Sequence, residues 1–474
     1  MKPKMLKRKI NGIPYYLWNP YAPMGVFTQL LGFGPTVTVR GEGNEVINPR
    51  GKRYFNGYSG MWSFALGFGR EEIIDAINRQ MHELPSGSLW GLSHPRAIEL
   101  AAKLIELTGG SYGRVYLGAN GSEVVEGAIK ISRQYHRLSP DPVDHGRYKI
   151  LSLKGSYHGY GYGASTAMWL PEIEENYGPM LPGMVNVDPP YCYRCQFGCE
   201  KIQYPGCGLA CVQAVEQVIL RESPDTMAAF LLDPIPGDLG VIVPPDEYYQ
   251  KVGEICRKYG LLLIDDEVTT GFGRAGKLFL SEEWNPKPDI LLLGKIITGG
   301  YLPLSALLAT DQVFERFLGN GGILYFGSTH SGHPLSCAAA LAAIDIMLRE
   351  GLPKNAAIMG KRIKEGLTHL KDHHPIIGDV RGKGLMLNVE LVKDRGTKEP
   401  ISENMKTLFS LDMICRGLLA SMNGIYLFPP LNIDTVTADW MVDVIDKTLV
   451  NHSLAQLLRI LRIGKELALS RLMS

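Results

Sequence analysis

The chain has 474 residues, 45% hydrophobic and 20% charged, the balance of a globular protein with room for two domains. A formal net charge of +1 argues against both a polybasic nucleic-acid binder and an acidic solvating chain. No apolar run approaches the roughly 18 residues a membrane span needs. The basic segment Met1–Trp18 also lacks a secretory core, so a cytoplasmic protein with no membrane or nucleic-acid partner is expected.

The predicted elements run in chain order as follows. The first 70 residues carry no clear strand–helix alternation and are assigned to a small domain. From 71 to 345, short apolar strands alternate with helical-period segments. The strands are Val115–Leu117, Lys149–Leu153, Ala228–Leu232, Leu261–Ile264, Ile290–Leu293 and Leu304–Ala309. The intervening helices are Ser122–Tyr135, Cys211–Arg221 and Glu247–Tyr259, the first with Val125, Ile129 and Ser132 along one side. Such alternation predicts an α/β fold with a mostly parallel sheet covered on both faces, its ligands at the carboxyl ends of the strands. From 346 to 474 the pattern changes to helices (Ser336–Arg349 leading in, then Lys361–His373) and an alternating stretch, Gly384–Leu391. This completes a smaller α+β domain built from both chain ends. The last segment, Leu454–Leu472, is basic and amphipathic, which reads as a surface helix or as a docking helix.

Four segments at strand ends carry the chemistry. In Leu261–Arg274 (LLLIDDEVTTGFGR) an apolar strand ends in Asp265, Asp266 and Glu267; alone, such an acid suits a metal ligand, a cap, an ion pair or catalysis. Lys295 follows another strand and precedes a Gly-Gly turn, where poor access to water lowers an amine's pKa and suits Schiff-base chemistry. Leu117–Lys130 (LGANGSEVVEGAIK) is a strand, then Asn120-Gly121-Ser122, then a helix: an N-cap, and equally an anion cradle. Ser156-Tyr157-His158-Gly159 places an aromatic where it could stack on a flat ring or simply pack. A lysine, an acid and a phosphate cradle are what pyridoxal phosphate requires.

In order and local sequence these segments resemble the class III (omega) pyridoxal-phosphate-dependent aminotransferases, from about Tyr54 to Pro430. The most specific parts are DEVTTGFGR, the Lys295 segment and Ser328–Ala342 (STHSGHPLSCAAALA). The resemblance implies fold type I, with a large cofactor domain and a small domain. It implies Lys295 as the Schiff-base lysine and Asp266 on the pyridine nitrogen. Val268 and Tyr157 would lie on the two ring faces beside His158, and Gly121 and Ser122 on the phosphate. Thr329 would complete the phosphate site of a neighbouring subunit in a homodimer. The chain departs from the family's usual text at Asn120, Val124, Ile296 and Asp233, the last where Glu is common.

The arginines with which family members grip 2-oxoglutarate are replaced, by the same resemblance, with Tyr160 and Tyr426. Trp62 resembles the pocket tryptophan of amine:pyruvate transaminases, and Trp90 would add to the wall. Arg381 is taken as structural. The implied reaction moves an amino group from a primary amine or omega-amino acid to an oxo acid, pyruvate before 2-oxoglutarate, in a ping-pong cycle. A decarboxylase or aminomutase of the same family is the alternative, and a scaffolding protein would have to lack a catalytic group that is present here. Cys192, Cys195, Cys199, Cys207 and Cys211 form a C-x2-C-x3-C-x7-C-x3-C insertion. Reduced structural thiols are the first reading, before zinc or a disulfide, and no metal site is assigned.

Overall fold

The computed structural model describes residues 38–199, 204–319, 322–421 and 424–450, together with 9–10, 13–14, 16, 18 and 20. The expected helix at 454–472 lies outside the described residues.

A seven-stranded sheet organises the middle of the chain. Its strands are β1 (Arg114–Gly118), β2 (Lys149–Leu153), β3 (Met184–Val187), β4 (Met227–Leu232), β5 (Leu262–Asp266), β6 (Ile290–Leu293) and β7 (Ser305–Ala309). The spatial order is β1-β7-β6-β5-β4-β2-β3. Only β7 runs antiparallel to its neighbours, which fits the expectation of a mostly parallel sheet. Every residue of β4, β5, β6 and β7 is buried, because helices cover both faces and leave no side for polar alternation. β3 was not expected: MVNV, with a polar Asn186 inside a short edge strand, gives too little periodicity to stand out.

Three covering helices fall where the 3.6-residue period puts them: α1 (Gly121–Arg137), α2 (Ala210–Arg221) and α3 (Tyr248–Tyr259). Val125, Ile129 and Ser132 of α1 are buried, and the Ser132 hydroxyl donates to the Ala128 carbonyl at 2.8 Å. Asn120 caps α1 by accepting from the Glu123 N–H at 3.0 Å. α3 stops at Gly260, whose φ of 72° suits a residue without a Cβ.

Beyond the sheet, α4 (Pro334–Arg349) leads into α5 (Leu352–His373). α5 starts at Leu352 rather than Lys361, since Pro353 in the first turn lacks only an N–H that would have no intrahelical partner there. Ile377–Lys383, Met386–Leu391 and Ile425–Leu427 form an antiparallel sheet. Arg40–Glu42, Glu45–Ile47 and Arg53–Phe55 form another. The two chain ends meet through the backbone: Phe55 N–H donates to Gly417 O at 2.8 Å, Leu419 N–H to Phe55 O at 2.9 Å, and Phe428 N–H to Gly57 O at 2.9 Å. No helix among the described residues is long and apolar enough to cross a membrane.

Candidate active site

The carboxyl ends of β1, β2, β5 and β6 converge on a cavity of about 200 Å³. It is lined by seven of the expected cofactor residues, Gly121, Ser122, Tyr157, His158, Asp266, Val268 and Lys295, and by Asn120, Gly159 and Thr269, which were not expected as lining.

Three consecutive acids at the end of β5 take three different positions. Asp265 is fully buried, and burial together with neighbouring Glu267 holds its carboxyl well above the usual carboxylate range. Glu267 accepts from the Leu280 N–H (2.8 Å), the Ser281 N–H (3.0 Å) and hydroxyl (2.9 Å), and the Thr270 hydroxyl (3.1 Å), and so ties the following turn. Asp266 alone faces the cavity. Its Oδ2 lies 2.6 Å from His158 Nδ1, both side chains buried, and its Oδ1 accepts from the Val268 N–H at 3.2 Å. A carboxylate only accepts, so the His158 proton sits on Nδ1. The histidine therefore positions Asp266, a link the sequence carries only as two distant motifs.

Lys295 follows β6 through the extended Gly294 and adopts φ 43°, a left-handed conformation that costs a non-glycine residue about 1–3 kcal/mol. The strain aims its amine into the cavity, where it donates to the Thr269 hydroxyl at 2.6 Å. Burial lowers the amine's pKa from its ordinary 10.5, opposed by Asp266, Asp238 and Asp233. Its Nζ lies 5.3 Å from the Trp62 ring centroid and 5.8 Å from that of Tyr157. Trp62, itself at φ 65°, stacks on Phe428 at 4.4 Å.

The N-terminus of α1 closes one end of the cavity. A Cβ on Gly121 would sit 3.0 Å from Val268 Cγ1, and one on Gly159 would sit 2.0 Å from Ser122 Oγ. Both glycines let main chain approach where a side chain would fill the space. Ser122 Oγ accepts from the Tyr160 N–H at 3.0 Å. Glu123 binds the hydroxyls of Ser328 (3.1 Å) and Ser331 (2.8 Å) and so anchors the 328–331 segment against α1. Thr329 itself is exposed and does not line the cavity.

The remaining expected residues do not line the cavity. Tyr160 is 45% exposed, and burial pushes its phenol up to about 12. The Tyr426 hydroxyl donates to the Asp238 carbonyl at 3.5 Å. Trp90 is 67% exposed and packs near Gly327, away from the lining. Arg381 is engaged, as the structural reading requires: it bonds Asp379 (3.0 Å), Glu390 (2.6 Å) and the Gly240 carbonyl (2.6 Å). Asp233 is buried, accepts from the Ile235 N–H at 3.2 Å, and is held well above the carboxylate range by burial and by Asp266. None of the eight cysteines forms a disulfide, and Cys211 is buried in α2. No His/Cys/Asp/Glu group among the described residues is arranged to hold a metal ion.

Fold and site together define a fold type I pyridoxal-phosphate transferase. The cavity fits that cofactor: an acid for a ring nitrogen, an apolar and an aromatic wall, a lysine with a lowered pKa, and a helix N-terminus that only glycine could keep open. Residues 33–449 match the model of the family described as aminotransferase class III, and the chain belongs to that family. It is 40% identical over 396 residues to a taurine–pyruvate aminotransferase of Bilophila wadsworthia, covering 82% of this chain and 83% of that one. It is 35% identical over 445 residues to an adenosylmethionine-8-amino-7-oxononanoate aminotransferase of Methanocaldococcus jannaschii, covering 91% and 95%. An amine transaminase structure from an uncultivated Pseudomonas species, in its PLP-bound form, superposes with a TM-score of 0.87 at 34% identity, covering 93% and 99%.

Proposed function

We propose that this aminotransferase takes its amino group from a primary amine or omega-amino acid and delivers it to pyruvate in preference to 2-oxoglutarate. The cofactor is pyridoxal phosphate, which supplies an electron sink for the carbon being deprotonated. Lys295 holds the cofactor and moves a proton through its Nζ, an amine whose lowered pKa leaves it able to accept. Asp266, braced by His158, keeps the ring nitrogen protonated. Val268 and Tyr157 hold the ring plane between them, and Gly121 and Ser122 hold the phosphate.

One observation carries the acceptor. Lys295 is the sole lysine or arginine lining the cavity among the described residues, and Tyr160 packs against Tyr157, which lines it. Arg381, the guanidinium beside Tyr426, is already paired with two carboxylates. A second substrate carboxylate therefore meets no available cation there, and lost charge-assisted bonds cost about 1.5–3 kcal/mol each. Two such losses correspond to a preference for pyruvate of roughly 10²–10⁴-fold. The name of the Bilophila relative, which pairs taurine with pyruvate, agrees with this acceptor. The test is kcat/KM for both acceptors with one good donor; comparable values would reject the reading.

We also place the enzyme in the cytoplasm as a homodimer. Cysteines that form no disulfide suit a reducing compartment. Exposed Thr329 follows the exposed apolar residues Ile323 and Tyr325 in the chain, and exposed Trp90 packs near Gly327 between them, a surface suited to a second copy. The division into a small-domain part at 1–70, a large domain at 71–345 and a small domain at 346–474 is retained on the same footing.

A further inference from the structure

We propose that Thr269 is a positioning residue for the reaction: its hydroxyl is the resting partner of the Lys295 amine whenever that amine is free of the cofactor, and it holds the nitrogen with its lone pair ready to take a proton from the donor carbon. The inference rests on the reading of Lys295 as the cofactor lysine and extends it to the residue that aims the amine.

The turn after β5 leaves Thr269 little freedom. On one side the Val268 N–H is held by Asp266 Oδ1 at 3.2 Å. On the other the Thr270 hydroxyl donates to Glu267 Oε2 at 3.1 Å, and the Gly271 N–H donates to the Glu267 carbonyl at 3.0 Å. Thr269, between these pinned neighbours, is 9% exposed and lines the cavity. Lys295 arrives from a different strand end, that of β6, and its Nζ donates to Thr269 Oγ1 at 2.6 Å. Trp62 and Tyr157 present ring faces to the same nitrogen at 5.3 and 5.8 Å, which bounds its space without fixing where its N–H groups point.

The partner's chemistry decides what the amine can do. A carboxylate in the place of Thr269 would hold the nitrogen as ammonium, which has no lone pair to offer a proton. Asp266, the carboxylate that lines the cavity, is engaged instead by His158 at 2.6 Å and by the Val268 N–H. A hydroxyl oxygen accepts one N–H from the neutral amine, fixes its direction and leaves the lone pair free. Once a proton arrives, the same bond becomes charge-assisted and strengthens, so it stabilises the proton's transfer more than the starting state. Burial and Arg274 lower the pKa of this amine, while Asp266, Asp238 and Asp233 raise it; the hydroxyl adds direction to that balance of charges.

The experiment has two readouts. Acetic anhydride labelling of apoenzyme, with Lys295 read by mass spectrometry, follows the amine with no cofactor present. Because the hydroxyl bonds ammonium more strongly than amine, its loss should move the labelling profile to lower pH. Below the wild-type midpoint, Thr269→Val should label about threefold or more faster relative to its own high-pH plateau, and Thr269→Ser should match wild type. Thr269→Ala serves the same purpose if the valine variant fails to fold. The second readout uses holoenzyme and pentylamine, with and without deuterium on C1, followed without acceptor through the cofactor's visible absorbance. Thr269→Val should lower the limiting rate by about tenfold with half-saturation little changed, deuterium should slow it further, and Thr269→Ser should restore it. An unchanged labelling profile, an unchanged limiting rate, or a rate loss insensitive to deuterium would each overturn the proposal. If pentylamine does not react, the donor reading under the proposed function fails by itself, and the labelling profile alone decides Thr269.

Discussion

Asp265, Asp266 and Glu267 are neighbours in sequence and differ in everything that matters to chemistry. Strand alternation turns Asp266 away from the face on which Asp265 and Glu267 lie, so one acid reaches the cavity while the other two are buried behind it. The contact with His158 then gives Asp266 a fixed orientation. Asp266→Asn keeps the shape and removes the charge. Cofactor should still bind, while turnover falls on the order of 10²-fold or more, the cost of removing one preorganised electrostatic partner. Turnover close to wild type would contradict the role. Lys295 is the residue on which the whole assignment stands. Borohydride reduction of the yellow holoenzyme should fix the cofactor on the peptide containing Lys295, read by mass spectrometry, and labelling of another lysine would refute it.

At the scale of elements, the site is a set of strand ends joined to tight turns. The turn after β2 places Gly159 at φ 115°, with its missing side chain directed at Ser122 Oγ. Gly159→Ala would combine left-handed strain of about 1–3 kcal/mol with a collision against the phosphate cradle. Cofactor affinity should drop by about tenfold or more, measured by titrating apoenzyme and following absorbance. An unchanged affinity would mean that the turn moves freely and that Ser122 does not depend on it. The turn after β5 is held differently, by Glu267 beneath it and by Arg274, which is fully buried and donates to the Leu385 and Pro429 carbonyls at 3.0 and 2.5 Å. That arginine joins the cofactor end of the sheet to the segment carrying Tyr426. Burial pushes its guanidinium pKa down to about 9, which marks how little water reaches this junction.

For the molecule as a whole, the open question is what covers Thr329. The segment from 328 to 331 is anchored from within by Glu123, yet Thr329 is exposed and does not line its own cavity. A homodimer that shares its phosphate sites explains both facts. Sedimentation at assay concentration should give a dimer or larger assembly, and a fully active monomer would refute it. Thr329→Ala should then weaken cofactor binding although the residue does not line its own cavity.

Much of this was legible in the sequence. β2 and β6 have the bounds that apolar runs between turn residues predict, and α1 shows its buried side through Val125 and Ile129. Those features depend on residues close in the chain, where side-chain periodicity and turn chemistry act directly. The lysine, the acid and the cradle were visible for the same reason: each sits at or just after the end of a strand. Only the tertiary structure decided that His158 orients Asp266, that Arg381 is already paired, and that Glu123 anchors the Thr329 segment. Each depends on which distant segments the sheet brings together. Partners so far apart along the chain leave no periodic mark on either segment, because hydrogen bonds and charges act through space.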